Sequence, residues 1–571
     1  MKSVLAAARG DSPCDLLIRG GRIANVLSME YEASDIAIKD GIIAGVGTGY
    51  EGREVVDASG AVLMPGMIDG HIHIESTMLA PAAFAAAVVP LGTTTVMSDP
   101  HEIANTCGLP GIEFMKRESM RTPLDVFLGA PSCVPASGFE TPREEIDAYR
   151  IMDCYDRGLC AHLAEMMNFP GVISGDESVW AKITGARGMV RTGHAPGVRG
   201  KDLCAYLISG CDSDHEIDFA EEALEKLRRG MWIMMREGTA EHSLTNLLPI
   251  ILEDEARFAR CMVVSDDITA GNILSEGHMD HKVRTMIGAG IRPLIAAAMV
   301  TANPAAYFRL WDRGAIAPGR IADIVMVPSL EECRAIKVWK RGILAAEDGS
   351  ALFGTFAPMA TDLPATGTID PPPDKSSFLV PVQPGRDIRV IVALEGRVVT
   401  EQMTAEPLVQ DGFVVSDCER DILKVVVTEK NRGSARTAVG FVRGFGLKRG
   451  ALASSVAHDA HNYIAVGTDD ESIWTAMKYL AENRGGMVVS DGDRIVSSLS
   501  LPIGGLMSNM NPTALSDAIQ RMSRAAADLG AVMPQPFMNM SFLSLSVIPE
   551  LKLTDQGYVN AAEGRLLELF V

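Results

Sequence analysis

Eight times between residues 63 and 312, an apolar and often β-branched run breaks off into polar or glycine-rich residues and gives way to a helix-like stretch. The breaks fall near His73, Asp99, Pro131, Glu165, His194, His215, Arg236 and Asp266, at spacings of 21 to 34 residues. This is the rhythm of βα units. Eight of them predict a (β/α)8 barrel, whose functional groups gather where the strands end. Here the polar residues cluster at those ends, so the expected fold and the expected site support each other.

The flanks read differently. Residues 15–62 are short strands with turns, including a hairpin signal at Lys39-Asp40-Gly41. Gly47-Thr-Gly49-Tyr-Glu-Gly52 is formally a GxGxxG, but a strand-like run follows where a dinucleotide site needs a helix, so it is a turn. Short strands are expected to resume from Gly314 to Val325 and again at Ile336–Gly342. The expected class is therefore α/β. A β-sandwich formed by residues 1–64 and 314–365 is interrupted by the barrel at 65–313, and a separate α/β domain occupies 366–571. That last domain opens on a proline-rich linker, Thr366 to Asp374, and alternates strands (Val390–Leu394, Lys424–Val427) with helix (Ser472–Glu482).

Charge removes several functional classes. Lys and Arg number 52 against 73 Asp and Glu, a net −21 that lacks the cationic footprint of a nucleic-acid or anionic-membrane binder. Ten cysteines without a CxxC pair fit reduced cytosolic thiols. The apolar run Val4–Ala8 is too short for a signal peptide, and no stretch approaches the roughly 18 apolar residues of a membrane helix, so a cytoplasmic location is expected.

The chemistry lies in the histidines. In Asp69-Gly70-His71-Ile72-His73 the two imidazoles sit at i and i+2 of a strand and face the same side, where they can grip one metal ion. Alone, such a pair reads equally well as two hydrogen-bonded histidines. Glu165, His194, His215 and Asp266 at later strand ends tip the balance. Four imidazoles and two carboxylates converging on one face are costly as packing, and suit a borderline transition metal. Six ligands exceed one tetrahedral ion, so Glu165 could bridge two.

The order HxH, Glu, His, His, Asp along successive strands resembles the amidohydrolase superfamily. The stretches PGMIDGHIHIESTML (65–79), GTTTVMSDPHEIANTCG (92–108), GHAPG (193–197), SDHE (213–216), REGTA (236–240) and VSDD (264–267) resemble, within it, the bacterial-type adenine deaminases. AHDAHN (457–462) and LPIGGLMS (501–508) are similar to that family's own C-terminal domain. The resemblance implies two divalent ions, usually manganese or iron, with zinc possible. His71, His73 and Asp266 would hold one, His194 and His215 the other, with Glu165 between them in place of the carboxylated lysine of many relatives.

The implied reaction is hydrolysis of adenine to hypoxanthine and ammonia, by a water that such ions acidify to a pKa of about 7 in the best cases. Asp266 is expected to move a proton from water to the purine, and His101 to shuttle a proton or touch the ring. Asp99, Glu102, Asp267, Arg236 and Glu75 are expected around the substrate. The expected partner is a small purine, and the chain is expected to form a homodimer or higher homo-oligomer. His458, Asp459 and His461 either close over the active site or form a satisfied loop. After Thr239-Ala240 the family's Arg-Asn-Leu-like run is replaced by Glu241-His242-Ser-Leu.

Two other readings compete. A different amidohydrolase would open a cyclic amide or deaminate another heterocycle, and is told apart by ammonia release from adenine. A metal-free relative with an assembly or regulatory role would lack stoichiometric ions. The zinc deaminases pair HxE with PCxxC; His73-Ile74-Glu75 has the first form, but no PCxxC accompanies it, and GxSxG and a Walker loop are absent.

Overall fold

The computed structural model describes residues 1–571 apart from 240–241, 355–357, 359–362 and 364–373. The linker expected at 366–374 lies outside the described residues except for Asp374.

Eight parallel strands form the centre: β1 (Met67–Ile72), β2 (Thr93–Ser98), β3 (Asp125–Ala130), β4 (His162–Met166), β5 (Val190–Gly193), β6 (Ser213–Asp214), β7 (Trp232–Arg236) and β8 (Cys261–Val264). Each ends within two residues of a break read in the sequence. Neighbours pair in order, with single bridges Arg191 to Cys211 joining β5 to β6 and Ile72 to Asp266 joining β8 back to β1. The ring is thus closed. Met97, Met234, Met262 and Val264 pack in its interior with Tyr307 and Phe308. Tyr307 donates its hydroxyl to Arg191 O and lies against Trp232, the first residue of β7, which closes the N-terminal end. Access is left at the ends where the chemistry-bearing residues stand.

Strands from both flanks share a second layer. Val62–Pro65 pairs antiparallel with Ile324–Val327, so the chain returns after the barrel to the sheet it left. Ile18, Ile23, Ile38, Leu63, Ile324 and Trp339 pack into one core between this sheet and a four-stranded sheet built from residues 14–57. The GxGxxG stretch joins Ile42–Gly47 to Gly52–Asp57, strand to strand, as its reading as a turn requires. One expectation needs correction. Gly314 to Arg320 is not strand: Gly314 (φ +80°) and Gly319 (φ +87°) bend the chain around Pro318, and the strand starts only at Ile324.

Beyond residue 374 an eight-stranded sheet runs from Thr400–Ala405 at one edge to Arg494–Ser500 at the other. Helix Asp470–Glu482 lies on it because Ile473, Ala476, Met477 and Leu480 recur at helical spacing and are all buried. Among the described residues no helix is long and apolar enough to cross a membrane.

This unit is clamped to the barrel through the segment between β3 and helix Ala148–Asp156. Glu140 accepts hydrogen bonds from Asp459 N (3.3 Å), Ala460 N (3.0 Å) and Ser546 Oγ (2.5 Å). Thr141 Oγ1 donates to Asp555 (2.8 Å) and Arg143 to Asn431 O (2.9 Å). Burial, reinforced by the Asp459 carboxylate, pushes Glu140 up to about 8. The folded chain therefore keeps this proton to a pH at which the unfolded chain, with an ordinary carboxyl, has lost it. Stability from this group falls as pH rises from the ordinary carboxyl range to about 8, then levels off. Glu140→Gln presents the same oxygen to the two peptide N–H groups and cannot ionise. Its melting temperature relative to the unmodified protein is expected to improve between pH 5 and pH 8.5. A difference that stays constant across that range would refute the assignment.

Candidate active site

The six expected ligands come together at the open end of the barrel, each between 1 % and 6 % exposed. Main-chain closure sets their register: Asp266 N donates to His71 O at 2.9 Å, which ties the HxH strand to the aspartate after β8. Asp266 sits in the left-handed region (φ +58°), a conformation Asp tolerates better than most residues and one that recurs at functional sites. Asp69 supports both from below, accepting from His71 N (3.3 Å) and Ser265 N (3.1 Å) and lying 3.1 Å from His278 Nε2.

Glu165 lies at the middle. Its Oε1 faces His73 Nε2 at 3.3 Å and His71 Nε2 at 3.8 Å, and its Oε2 faces His194 Nδ1 at 2.7 Å and His215 Nε2 at 3.3 Å. Asp266 Oδ1 faces the first pair again, 3.1 Å from His73 and 3.4 Å from His71. Although burial works to raise it, Glu165 is held well below the usual carboxylate range by His194, His215 and His73. Asp266 is likewise held down against burial, by Arg236 first and then His71 and His73. Both are anions.

These residues fit divalent cations. His73 donates Nδ1–H to the Asp99 carbonyl (3.1 Å), which leaves the Nε2 lone pair aimed at Glu165 and Asp266. His71 Nε2 and His215 Nδ1 are buried with no hydrogen-bond partner in the protein. The rings of His71 and His215 stack at 4.2 Å, and His71 and His73 meet edge to face at 4.8 Å. So dense a set of imidazoles cannot all be protonated, and a cation explains what apolar packing does not. Another cluster, Glu102, His458 and His461, has similar spacing. There His461 Nδ1 accepts from Ala457 N at 3.1 Å, so a neutral ring carries its proton on Nε2 and points a donor, not a lone pair, at Glu102.

A cavity of about 300–1000 Å³ is the scale of a small-molecule site, and the one over these candidate ligands is 820 Å³. Glu102, Arg236 and Asp267 line it, together with His101, His458 and Asp459. Asp99 and Glu75 do not. Asp99 lies behind His101, accepting from its N–H (3.1 Å), and Glu75 accepts from Ile103 N (3.3 Å) in the first turn of helix His101–Cys107. Arg236 pairs with Glu216 and donates to Asp266 Oδ2 at 2.7 Å. Ser76 Oγ touches both Glu102 (2.7 Å) and Asp267. One hydroxyl proton serves one carboxylate at a time, and burial raises Glu102 above the usual carboxylate range.

Sequence reasoning gave no role to Glu216, Asp69 or Glu140. SDHE contained Glu216 in plain view, but its arginine lies one strand further on. Of the loop after Thr239, residues 240–241 are outside the described residues, and half-exposed His242 pairs with Glu237 at 3.2 Å.

A closed parallel barrel carrying HxH, Glu, two His and Asp on its C-terminal rim defines a hydrolase of the amidohydrolase type, and residues 62–345 match the Amidohydrolase family. Residues 397–565 match the Adenine deaminase C-terminal domain. The chain is 41% identical over 567 residues to an adenine deaminase of Dehalococcoides mccartyi (strain CBDB1), covering 99% of each chain. It is 42% identical over 569 residues to that of Desulfatibacillum aliphaticivorans, again over 99% of each. The chain belongs to the adenine deaminase family. Among solved structures, a zinc-bound adenosine deaminase from Xanthomonas campestris aligns at 15% identity and a TM-score of 0.46, over 62% of this chain and 97% of that one.

Proposed function

We propose that this protein hydrolyses the exocyclic C6–N6 bond of adenine to give hypoxanthine and ammonia. The observation that carries the reading is Glu165, whose two oxygens face separate histidine pairs. That arrangement suits two divalent ions, manganese first and iron or zinc next, held by His71, His73 and Asp266 on one side and by His194 and His215 on the other. Relatives named adenine deaminase, matched end to end, support the purine. Divalent ions bound there supply Lewis acidity and an acidified water near neutral pH.

The chain's own groups do the rest. Asp266, ionised and braced by Arg236, accepts the proton released as water oxygen bonds to C6. That proton passes to N1 of the purine, and the second proton of the water goes, with His101 within reach, to the departing amine, so that N6 leaves as ammonia and not as an amide ion while N1–H and C6=O remain in hypoxanthine. Glu102 and Asp267, joined through Ser76, offer a donor and an acceptor for the ring edge. Arg236, Asp99 and Glu75 serve the site by holding Asp266, His101 and the first turn of the His101 helix.

The test is a purine panel on protein stripped of metal and reloaded with manganese, iron(II) or zinc, read by ammonia release. Adenine is expected to yield ammonia only after metal is restored. Ring opening of a cyclic amide without ammonia would favour a different amidohydrolase, and no release from adenine with any of the three metals defeats the proposal.

A further inference from the structure

We infer that Asp459, carried by the C-terminal domain, is a positioning residue for His101, so that the catalytic centre is assembled from two domains. The inference rests on the reading of His101 as part of the deamination machinery.

His101 is the first residue of its helix, and its ring projects between charges of the same sign. Nδ1 faces Asp99 Oδ2 at 3.5 Å and Glu165 Oε1 at 3.7 Å, while Nε2 faces Asp459 Oδ1 at 3.7 Å. Nδ1 is buried without a hydrogen-bond partner in the protein. The orientation of the ring is therefore set by carboxylates on its two sides and by the His73 ring 4.6 Å away. Rotating the imidazole by half a turn would put carbon atoms where the nitrogens stand. With Asp459 in place both nitrogens face an anion, and the flipped ring faces none; without it, half of that preference is gone.

Asp459 is itself an expensive residue to keep. It is 2 % exposed, and its Oδ2 has no hydrogen-bond partner in the protein. Its rigid placement comes from the main chain: its own N–H and that of Ala460 both donate to Glu140 of the barrel. On its other side His458 Nδ1 lies 3.6 Å from Oδ1, and the His458 ring is stacked on Phe542 at 5.3 Å and 24°. A buried carboxylate held this firmly, with the imidazoles of His101 and His458 before it, is built to orient them. His101 is the one of the two that also faces Glu165.

The test is a double-variant cycle on the full-length, metal-loaded protein, with kcat and KM for adenine, metal per chain and melting temperature measured together. Asp459→Asn is expected to lower kcat by about 10- to 100-fold, with KM and metal content nearly unchanged, and Asp459→Glu to restore most of the loss. In a His101→Gln background, adding Asp459→Asn is expected to cost less than about twofold, because the group it positions is gone. Full activity in Asp459→Asn, losses that multiply in the double variant, or a loss that tracks metal or melting temperature each overturns the inference. Wild-type protein inactive on adenine instead overturns the substrate reading, and the same cycle is then run on whichever purine of the panel turns over. A protein that turns over none of them overturns both.

Discussion

Glu165→Gln is expected to strip the site of at least one ion and to lower kcat about a thousandfold, equivalent to the several kcal/mol of transition-state stabilisation a catalytic metal provides. The substitution keeps the side chain's shape and removes its charge. It also replaces one acceptor oxygen by an N–H donor pair, and whichever way the amide turns, that donor meets one of the two histidine pairs now faced by an oxygen. Elemental analysis and ammonia release should therefore fall together. A variant that keeps two ions per chain and normal turnover would remove Glu165 from the centre and with it the binuclear reading.

Asp266→Asn should behave differently. Loss of a proton-transfer group costs about 10²- to 10⁴-fold, and because the role proposed for Asp266 is proton transfer from the water and not contact with the ring, the loss is expected in kcat with KM within a few fold. The neutral amide also removes the Asp266 anion from Arg236, which keeps its pairing with Glu216. Steady-state kinetics at saturating metal distinguish the roles: unchanged kcat would show that another group carries the proton, and a loss confined to KM would make Asp266 a binding residue only.

The barrel and its rim were legible because both follow local rules. An apolar run that breaks off into polar or glycine-rich residues, repeated eight times, fixes strand ends and candidate ligands at once, and all six candidate ligands stand at the strand ends where that rule puts them. The support of those ligands obeys no such period. His278 reaches Asp69, and Arg236 reaches Glu216, through side chains that only the closed ring brings together. Glu140 receives N–H groups from residues 319 and 320 positions later. No periodicity reports contacts at that distance. The segment at Gly314–Arg320 misled for a local reason: its apolar Ala315-Ile316-Ala317 run reads as a short strand, while Pro318 and two left-handed glycines impose a turn.

The clamp at Glu140 has a bearing on how the molecule is made. A ribosome adding about 5–20 residues per second needs roughly 15–60 s to travel from Glu140 to its donors at Asp459 and Ala460. In the later part of that interval, once Asp266 has been made, every candidate ligand from His71 to Asp266 has been synthesised, and the wall that His458, Asp459 and Phe542 later form over the mouth has not. The nascent barrel then presents its imidazoles and carboxylates to solvent, and the C-terminal residues cover them only afterwards.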